Sequence, residues 1–364
     1  MADLENNIPH AEGETTDPHH MLPEHAGPAN SAFRTTYEKG KTHARRGAKA
    51  TLAALALGLG VVMTATFLEG PDDRSPIVSQ TTASGNTENV KSMWLKNVTQ
   101  IDAPENITIF GERIPIENWD IRERFEREFY YNYQNADQLV IWYKRGHRYF
   151  DMIDRMLEDA GVPRDLKYLM VAESGVRNVE SPADAHGFWQ FIPGTAKRYG
   201  LRVDQYVDER LDPRKATKAA IRYLSDMKAK VPDWTMVAAG YNMGEGNVRD
   251  VRATQKQESY FNWYINEETM RYVYRIAAIK ELMEHGSKYG LEFGRLKAFE
   301  LPDTKTVKVN GPIAQINDWA IAQGYSYKDV KVLNPWIVGR TLPAGNWEIE
   351  LPKDDDDRTT VAVK

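Results

Sequence analysis

Asp165-Leu-Lys-Tyr-Leu-Met-Val-Ala-Glu-Ser-Gly175 is the stretch on which the reading of this chain turns. Pro163 and Asp165 mark the start of a helix and Gly175 marks its end. Leu166, Leu169, Met170 and Glu173 fall at i, i+3, i+4 and i+7, so Glu173 lies on the apolar stripe. A carboxylate there is costly to ionise unless it is paired. It also stands in the last turn, where the helix dipole disfavours negative charge. Both effects raise its proton affinity, as a general acid near neutral pH requires. The ordinary alternative is a surface or salt-bridged glutamate, and this helix alone does not decide between them.

Outward from this helix the chain changes texture several times. Helical periodicity begins near Trp119 and continues to about residue 290. Trp142, Tyr143, Tyr149, Phe150, Ile153, Met156 and Leu157 fit helix faces packed on a core. Asp212-Pro213 reads as an N-cap followed by proline at the first helical position. Ala216, Ala220, Tyr223 and Met227 then repeat at helical spacing. After Leu301-Pro302 the pattern becomes strand (Thr304 to Val309), helix (Ile313 to Ala322), helix (Tyr327 to Leu333) and strand (Trp347 to Leu351), a small βααβ module.

The N-terminal side is different. Residues 1–47 are polar and lack periodicity, and the expectation is a disordered cytoplasmic tail. His10, His19, His20, His25 and His43 fall there, at spacings that fit no helical or strand ligand pair; a solvated tail is preferred to a metal site. Ala50 to Leu68 carries no charge. At about 1.5 Å per residue it spans about 28 Å, the thickness of a bilayer core. Lys39, Lys41, Arg45, Arg46 and Lys49 precede it, and Glu69, Asp72 and Asp73 follow. The expectation is therefore one uncleaved transmembrane anchor over 48–69, with the rest of the chain outside the cytoplasmic membrane; a cleaved signal peptide is the alternative. Residues 70–105 read as a linker and 353–364 as an acidic, solvated tail.

The 364 residues are enough for two or three domains. With 47 basic and 52 acidic residues intermixed, and no basic stripe, nothing suggests a nucleic-acid partner. The chain has no cysteine, which excludes disulfides, thiolate metal sites, a cysteine nucleophile and a lipidated N-terminal cysteine.

Further motifs follow the first helix: Ser181-Pro-Ala-Asp-Ala-His-Gly-Phe-Trp-Gln190, Phe191-Ile-Pro-Gly-Thr-Ala196, Ala239-Gly-Tyr-Asn-Met-Gly-Glu-Gly-Asn-Val248 and Glu268-Thr-Met-Arg-Tyr-Val273. With Glu173-Ser174 this ordered set resembles the bacterial lytic transglycosylases that carry the soluble-lytic-transglycosylase (SLT) domain, related in fold to goose-type lysozyme. The resemblance covers roughly two-thirds of the chain, including a helical lead-in over 106–158; the catalytic domain is expected over 159–295. It implies a mainly α, lysozyme-like fold. It implies that Glu173 is the acid/base and that Ser174 helps orient substrate. Phe188, Trp189 and Gln190 match the element facing the sugar, Tyr241 and Asn242 match a second, and Tyr272 matches a tyrosine beside the catalytic carboxylate. Trp189, Phe191 and Tyr241 could equally be plain core. Gly240 replaces the family's usual alanine, and Asp184 and His186 fill a turn usually made of small residues.

The resemblance further implies cleavage of peptidoglycan glycan strands between N-acetylmuramic acid and N-acetylglucosamine. One carboxyl acts as acid and then as base, unlike the two-carboxylate glycosidases, and no metal or other cofactor is required. The product expected is a 1,6-anhydro sugar; lysozyme-type hydrolysis, a non-catalytic wall-binding scaffold, and a wall-penetrating factor of a phage or secretion system are the alternatives. Residues 302–352 resemble a LysM module, through Ile321 to Pro335 and Leu342 to Pro352. Asn310-Gly311-Pro312 stands where that family has a Gly-Asp-Ser/Thr turn, so glycan binding there follows less directly than the fold.

Overall fold

The computed structural model describes residues 100–353. The expected tail, the Ala50 to Leu68 anchor, the linker up to residue 99 and the acidic end lie outside the described residues. Among those described, no helix is long and apolar enough to cross a membrane.

The lead-in begins with a short hairpin where a helix was expected. β1 (Thr108–Ile109) and β2 (Glu112–Arg113) pair antiparallel. Phe110 and Gly111 between them both take positive φ, as a two-residue turn matched to strand twist requires. Helices α1 (Trp119–Gln134), α2 (Ala136–Gly146) and α3 (Phe150–Asp159) follow. Asn118 caps α1, its side chain accepting from the Asp120 and Ile121 amides. Trp142, Ile153 and Leu157 turn into the core as their spacing implies.

α4 (Leu166–Ser174) is the central helix. The sequence suggested one apolar stripe, but every residue of α4 except Glu173 is buried. A helix covered on all sides needs apolar residues on all sides, and Tyr168, Leu169, Met170, Val171 and Ala172 supply them. Lys167 is covered too, and pairs with Asp154 at 2.9 Å. Asp165 stands at the N-cap but does not cap its own helix. Its carboxylate accepts from the Phe110 amide at 2.8 Å and pairs with Lys280 at 2.8 Å, fastening the hairpin over the start of α4.

From Val176 to Ile192 and from Tyr199 to Asp212 the chain is largely loop, contrary to the expectation of nearly continuous helix. Short bridges (Glu180 with His186, His186 with Phe191, Val203 with Asp208) organise these loops. α5 (Pro193–Arg198) separates them. α6 (Pro213–Lys228) starts as read, with Asp212 accepting from the Arg214 and Lys215 amides and proline in the first turn. α7 (Trp234–Met243), α8 (Glu245–Gln255) and α9 (Glu267–Glu284) complete the helical part. α9 packs along α1 and also against α4 and α7.

The C-terminal module has the expected order: β3 (Thr304–Asn310), α10 (Ile316–Ala322), α11 (Tyr327–Leu333) and β4 (Asn346–Pro352). β3 pairs antiparallel with β4 over its full length. The first helix starts at Ile316, because Ile313 is drawn into a bridge with Leu342. The module has its own core, to which the helical part contributes Val207. Val207 bridges Ile337, the Asp208 amide donates to the Trp336 carbonyl at 2.8 Å, and Arg202 and Lys215 lie over the Trp347 and Trp336 rings.

Candidate active site

The site is built on the last turn of α4. Gly175 ends the helix at φ 59, and a side chain there would collide with the Trp142 indole. Val176 follows at φ 57, a left-handed conformation that β-branched residues rarely adopt. Arg145 donates to the Gly175 carbonyl at 3.2 Å, covering the helix end with a cation. These constraints fix where α4 stops and where Glu173 points.

Glu173 is half-buried, in contrast to its covered neighbours. Tyr272 of α9 donates its phenol hydrogen to the Glu173 carboxylate. Burial pushes the carboxyl up to about 7; the Tyr272 hydrogen bond and the Arg275 charge oppose this, and the Glu268 charge adds to it. The Tyr272 phenol is itself raised well above its ordinary value, first by burial and then by the Glu173 charge, so it remains a donor. The arrangement is a carboxyl poised near neutrality, open to solvent on part of its surface and held by one phenol. Such a group can give a proton and take one back at neutral pH.

The remaining expected residues are placed less directly. Tyr241 of α7 is partly exposed and donates its hydroxyl to the Trp189 carbonyl. Its phenol is raised well above the ordinary value by burial and then by the Glu173 charge, which places it in that carboxyl's field. Asn242, also partly exposed, accepts from the Thr269 hydroxyl at 2.7 Å. Thr269 is in turn held by Asn266, the cap of α9, so Asn242 ties α7 to the helix that carries Tyr272.

Three residues are used internally where the resemblance implied substrate contact, and the fourth, Gln190, keeps part of its surface exposed. Trp189 is fully buried, and its indole donates to Thr217 at 3.0 Å. Phe188 is buried edge-on against Tyr149, with centroids 4.9 Å apart. Neither ring presents a face to a sugar; both fill the core behind the loop. The Gln190 amide nitrogen donates to the Val179 and Gly187 carbonyls at 3.0 and 2.8 Å. That clasp holds Gln190 at φ 47, a conformation that needs support for a non-glycine residue. Ser174 is buried, its hydroxyl donating to the Met170 carbonyl of its own helix at 3.2 Å. The structure thus joins Glu173 to Tyr272, packs Ser174, Phe188 and Trp189 into the core, and braces the loop through the Gln190 amide nitrogen and the Tyr241 hydroxyl.

The sequence reading missed that frame's foundations. Arg210 is buried, chelates Asp208 at 2.8 Å, and donates to the Asp184 and Phe191 carbonyls at 2.6 and 3.1 Å. Gly187 must be glycine because a Cβ there would strike the Arg210 carbonyl, and its φ is 82. Asp184 and His186, the unusual turn residues, join this network: His186 lies 3.0 Å from Asp184 and 3.4 Å from Asp208. Glu180, Asp184 and His186 bring potential ligand atoms within 4.8 Å of one another, though Arg210 already engages the Asp184 carboxylate. Gly240 also has a packing cause. A Cβ there would meet the Met227 sulfur and Val248, so glycine fits a helix pair drawn close rather than a loosened helix.

The helical part that carries Glu173 and the βααβ module each match a known domain family. Residues 152–264 match the transglycosylase SLT domain, and residues 305–355 match the soluble lytic transglycosylase C-terminal LysM-like domain. Among curated proteins, the chain is 26% identical over 328 residues to membrane-bound lytic murein transglycosylase D of Escherichia coli strain K12, and equally to that of Escherichia coli O6:H1. Both alignments cover 85% of this chain and 69% of the relative. A protein of Alteromonas sp. (strain M-1) named for tributyltin chloride resistance is 28% identical over 113 residues, covering 30% of this chain and 55% of its own length.

Proposed function

We propose that this chain is a peptidoglycan lytic transglycosylase that cleaves the β-1,4 bond between N-acetylmuramic acid and N-acetylglucosamine, with Glu173 as its single acid/base. The observation that carries the reading is the state of α4: every residue is covered except the one carboxyl, which titrates near 7 and is held by Tyr272. The SLT domain match and the printed name of the Escherichia coli relatives support murein as the substrate class.

In this reading protonated Glu173 donates to the glycosidic oxygen as the C1–O bond of the muramic sugar breaks. The developing positive charge at C1 is met by the sugar's own 6-hydroxyl oxygen. Ionised Glu173 then takes the 6-hydroxyl proton, which closes the 1,6-anhydro ring and restores the acid. Proton count balances without water or metal. The Tyr272 phenol steadies the carboxylate between the two transfers. Tyr241 and Asn242, both partly exposed, are the side chains proposed to meet the sugar. Gln190, Trp189, Phe188 and Ser174 hold the loop and helix end in place.

The wider assignment places the chain in cell-wall remodelling, anchored through Ala50 to Leu68 with the catalytic part on the periplasmic side. The LysM-like module supports contact with glycan strands. Digestion of purified sacculi by the full chain, followed by mass spectrometry of the fragments, tests the reaction. Anhydromuropeptides are the expected product. Reducing ends would make the chain a muramidase, and intact sacculi with bound protein would make it a scaffold.

A further inference from the structure

Glu128 of α1 is fully buried, and the residues around it give that burial a purpose. Two guanidinium groups of α9 converge on its carboxylate: Arg271 Nε at 2.5 Å from Oε1 and Arg275 Nε at 3.4 Å from Oε2. Arg271 and Arg275 are one helical turn apart and share a face. Arg275 is also three residues from Tyr272, whose phenol engages Glu173. The Arg275 side chain is only 12% exposed, so its charge is confined among protein groups. Its charge opposes the rise in proton affinity of the Glu173 carboxyl. Yet among the described residues no ion pair within 4.0 Å joins Arg275 to Glu173. The cation is committed to Glu128.

We propose that Glu128 is a positioning residue for the proposed reaction: it clamps the Arg275 guanidinium on the α1 side of α9 and so keeps it from pairing with the acid, Glu173. The inference rests on the functional reading above for its purpose, but not for its physics. A buried arginine seeks a carboxylate. The charged or titratable groups facing Glu173 are Tyr272, Arg275 and Glu268 of α9 and Tyr241 of α7; of these only Arg275 is cationic. With Glu128 neutral, Arg275 loses the carboxylate it holds, and Glu173, bound to Tyr272 three residues before it on α9, is the carboxylate proposed to take its place. A guanidinium in direct contact would hold Glu173 ionised and remove the proton that the glycosidic oxygen needs. The direct effect of the Glu128 charge on Glu173 has the same sign, so both routes agree.

The test uses three single variants and one double variant of the full chain. Its readout is the titration midpoint of the Glu173 carboxyl carbon by NMR, together with the basic limb of kcat/KM on glycan strands. Glu128→Gln lowers the midpoint. A tenfold loss of proton affinity, the low end for a carboxylate gaining an arginine, leaves about one-tenth of Glu173 protonated at pH 7 where about half was before. Activity at pH 7 then falls about fivefold and rejoins the wild type below about pH 5. Arg275→Gln moves the midpoint the opposite way, because the opposing cation is gone. In the Arg275→Gln background, adding Glu128→Gln lowers the midpoint much less than it does in the wild type, because only the direct loss of the Glu128 charge remains; an equal lowering in both backgrounds overturns the clamp. Arg271→Gln, which loses the shorter contact to Glu128 but leaves Arg275 clamped, keeps the wild-type midpoint.

Midpoints that move in the same direction in Glu128→Gln and Arg275→Gln, or not at all, overturn the proposal. So does an Arg271→Gln shift as large as that of Arg275→Gln. Should Glu128→Gln fail to fold, Glu128→Asp decides: it keeps the charge but draws the carboxylate back from Arg275, so a lowered Glu173 midpoint supports the clamp and an unchanged one overturns it. Wild-type protein that leaves peptidoglycan intact would refute the enzymatic reading, while the NMR midpoints would still decide whether the clamp exists.

Discussion

Replacing Glu173 with glutamine removes a charge that the fold accommodates poorly, so it changes stability in a way that depends on pH. In the folded chain the carboxyl is pushed up to about 7 from an ordinary 4.5, chiefly by burial. Between those values the native state holds a proton that the unfolded state has released. Stability therefore falls as pH rises through this window, and the loss is complete above the folded value. At about 1.4 kcal/mol for each tenfold step in proton affinity, the ionised form costs at most about 3.5 kcal/mol; the open part of Glu173's surface makes this an upper limit. Glutamine keeps the shape and still accepts from Tyr272, but never ionises. Glu173→Gln should match the wild type at about pH 4 and exceed it by about 1–3 kcal/mol at about pH 8.5. Urea denaturation of both proteins at the two pH values measures this, since every other titrating group is common to the pair. An equal difference at both pH values, or a variant less stable at high pH, would show that Glu173 is an ordinary solvated carboxylate and refute the reasoning.

Tyr272→Phe deletes the donor that stabilises ionised Glu173. A hydrogen bond to a charged group is worth about 1.5–3 kcal/mol, so the basic limb of the pH–rate profile should move up by at least about one pH unit. Gln190→Ala leaves a non-glycine residue at φ 47 without the amide that clasps the Val179 and Gly187 carbonyls. A loss of about 1–2 kcal/mol in urea unfolding is expected, partly recovered in Gln190→Gly. Gly175→Ala meets both a left-handed φ and the Trp142 indole, and should lose at least about 2 kcal/mol. Its melting temperature against Gly161→Ala, where φ is positive but no atom lies within 4 Å, separates the collision from the backbone effect.

The helices announced themselves where local chemistry decides them. The Asp212-Pro213 start of α6, the Gly175 end of α4 and the βααβ order of the module all follow from caps, breakers and periodicity. The hairpin did not, because its turn residues are Phe110 and Gly111, and Phe110 lacks the usual turn signature. The loops around 176–192 and 199–212 were also lost to a helical reading; their geometry comes from Arg210, a long-range partner that no local pattern reveals. Glu173 was legible as an acid because its place in the last turn of an apolar helix already implies raised proton affinity. What was not legible was which polar side chains face outward. The Ser174 hydroxyl is suited to a sugar, but the Met170 carbonyl takes it, and the Gln190 amide nitrogen is spent on the Val179 and Gly187 carbonyls. Glu128 went unnoticed in the sequence, because its partners Arg271 and Arg275 come from a helix some 143 residues away.

The most direct check of Glu173 as the acid is a comparison of full-length wild-type protein with Glu173→Gln on purified sacculi near neutral pH. Sedimentation would read binding, and soluble fragments would read cutting. The variant should remain folded and sediment with the sacculi while releasing fragments at least about a hundredfold more slowly, the lower end of what a general acid contributes. Release at the wild-type rate would contradict the account, since the proton would then have to come from some other group.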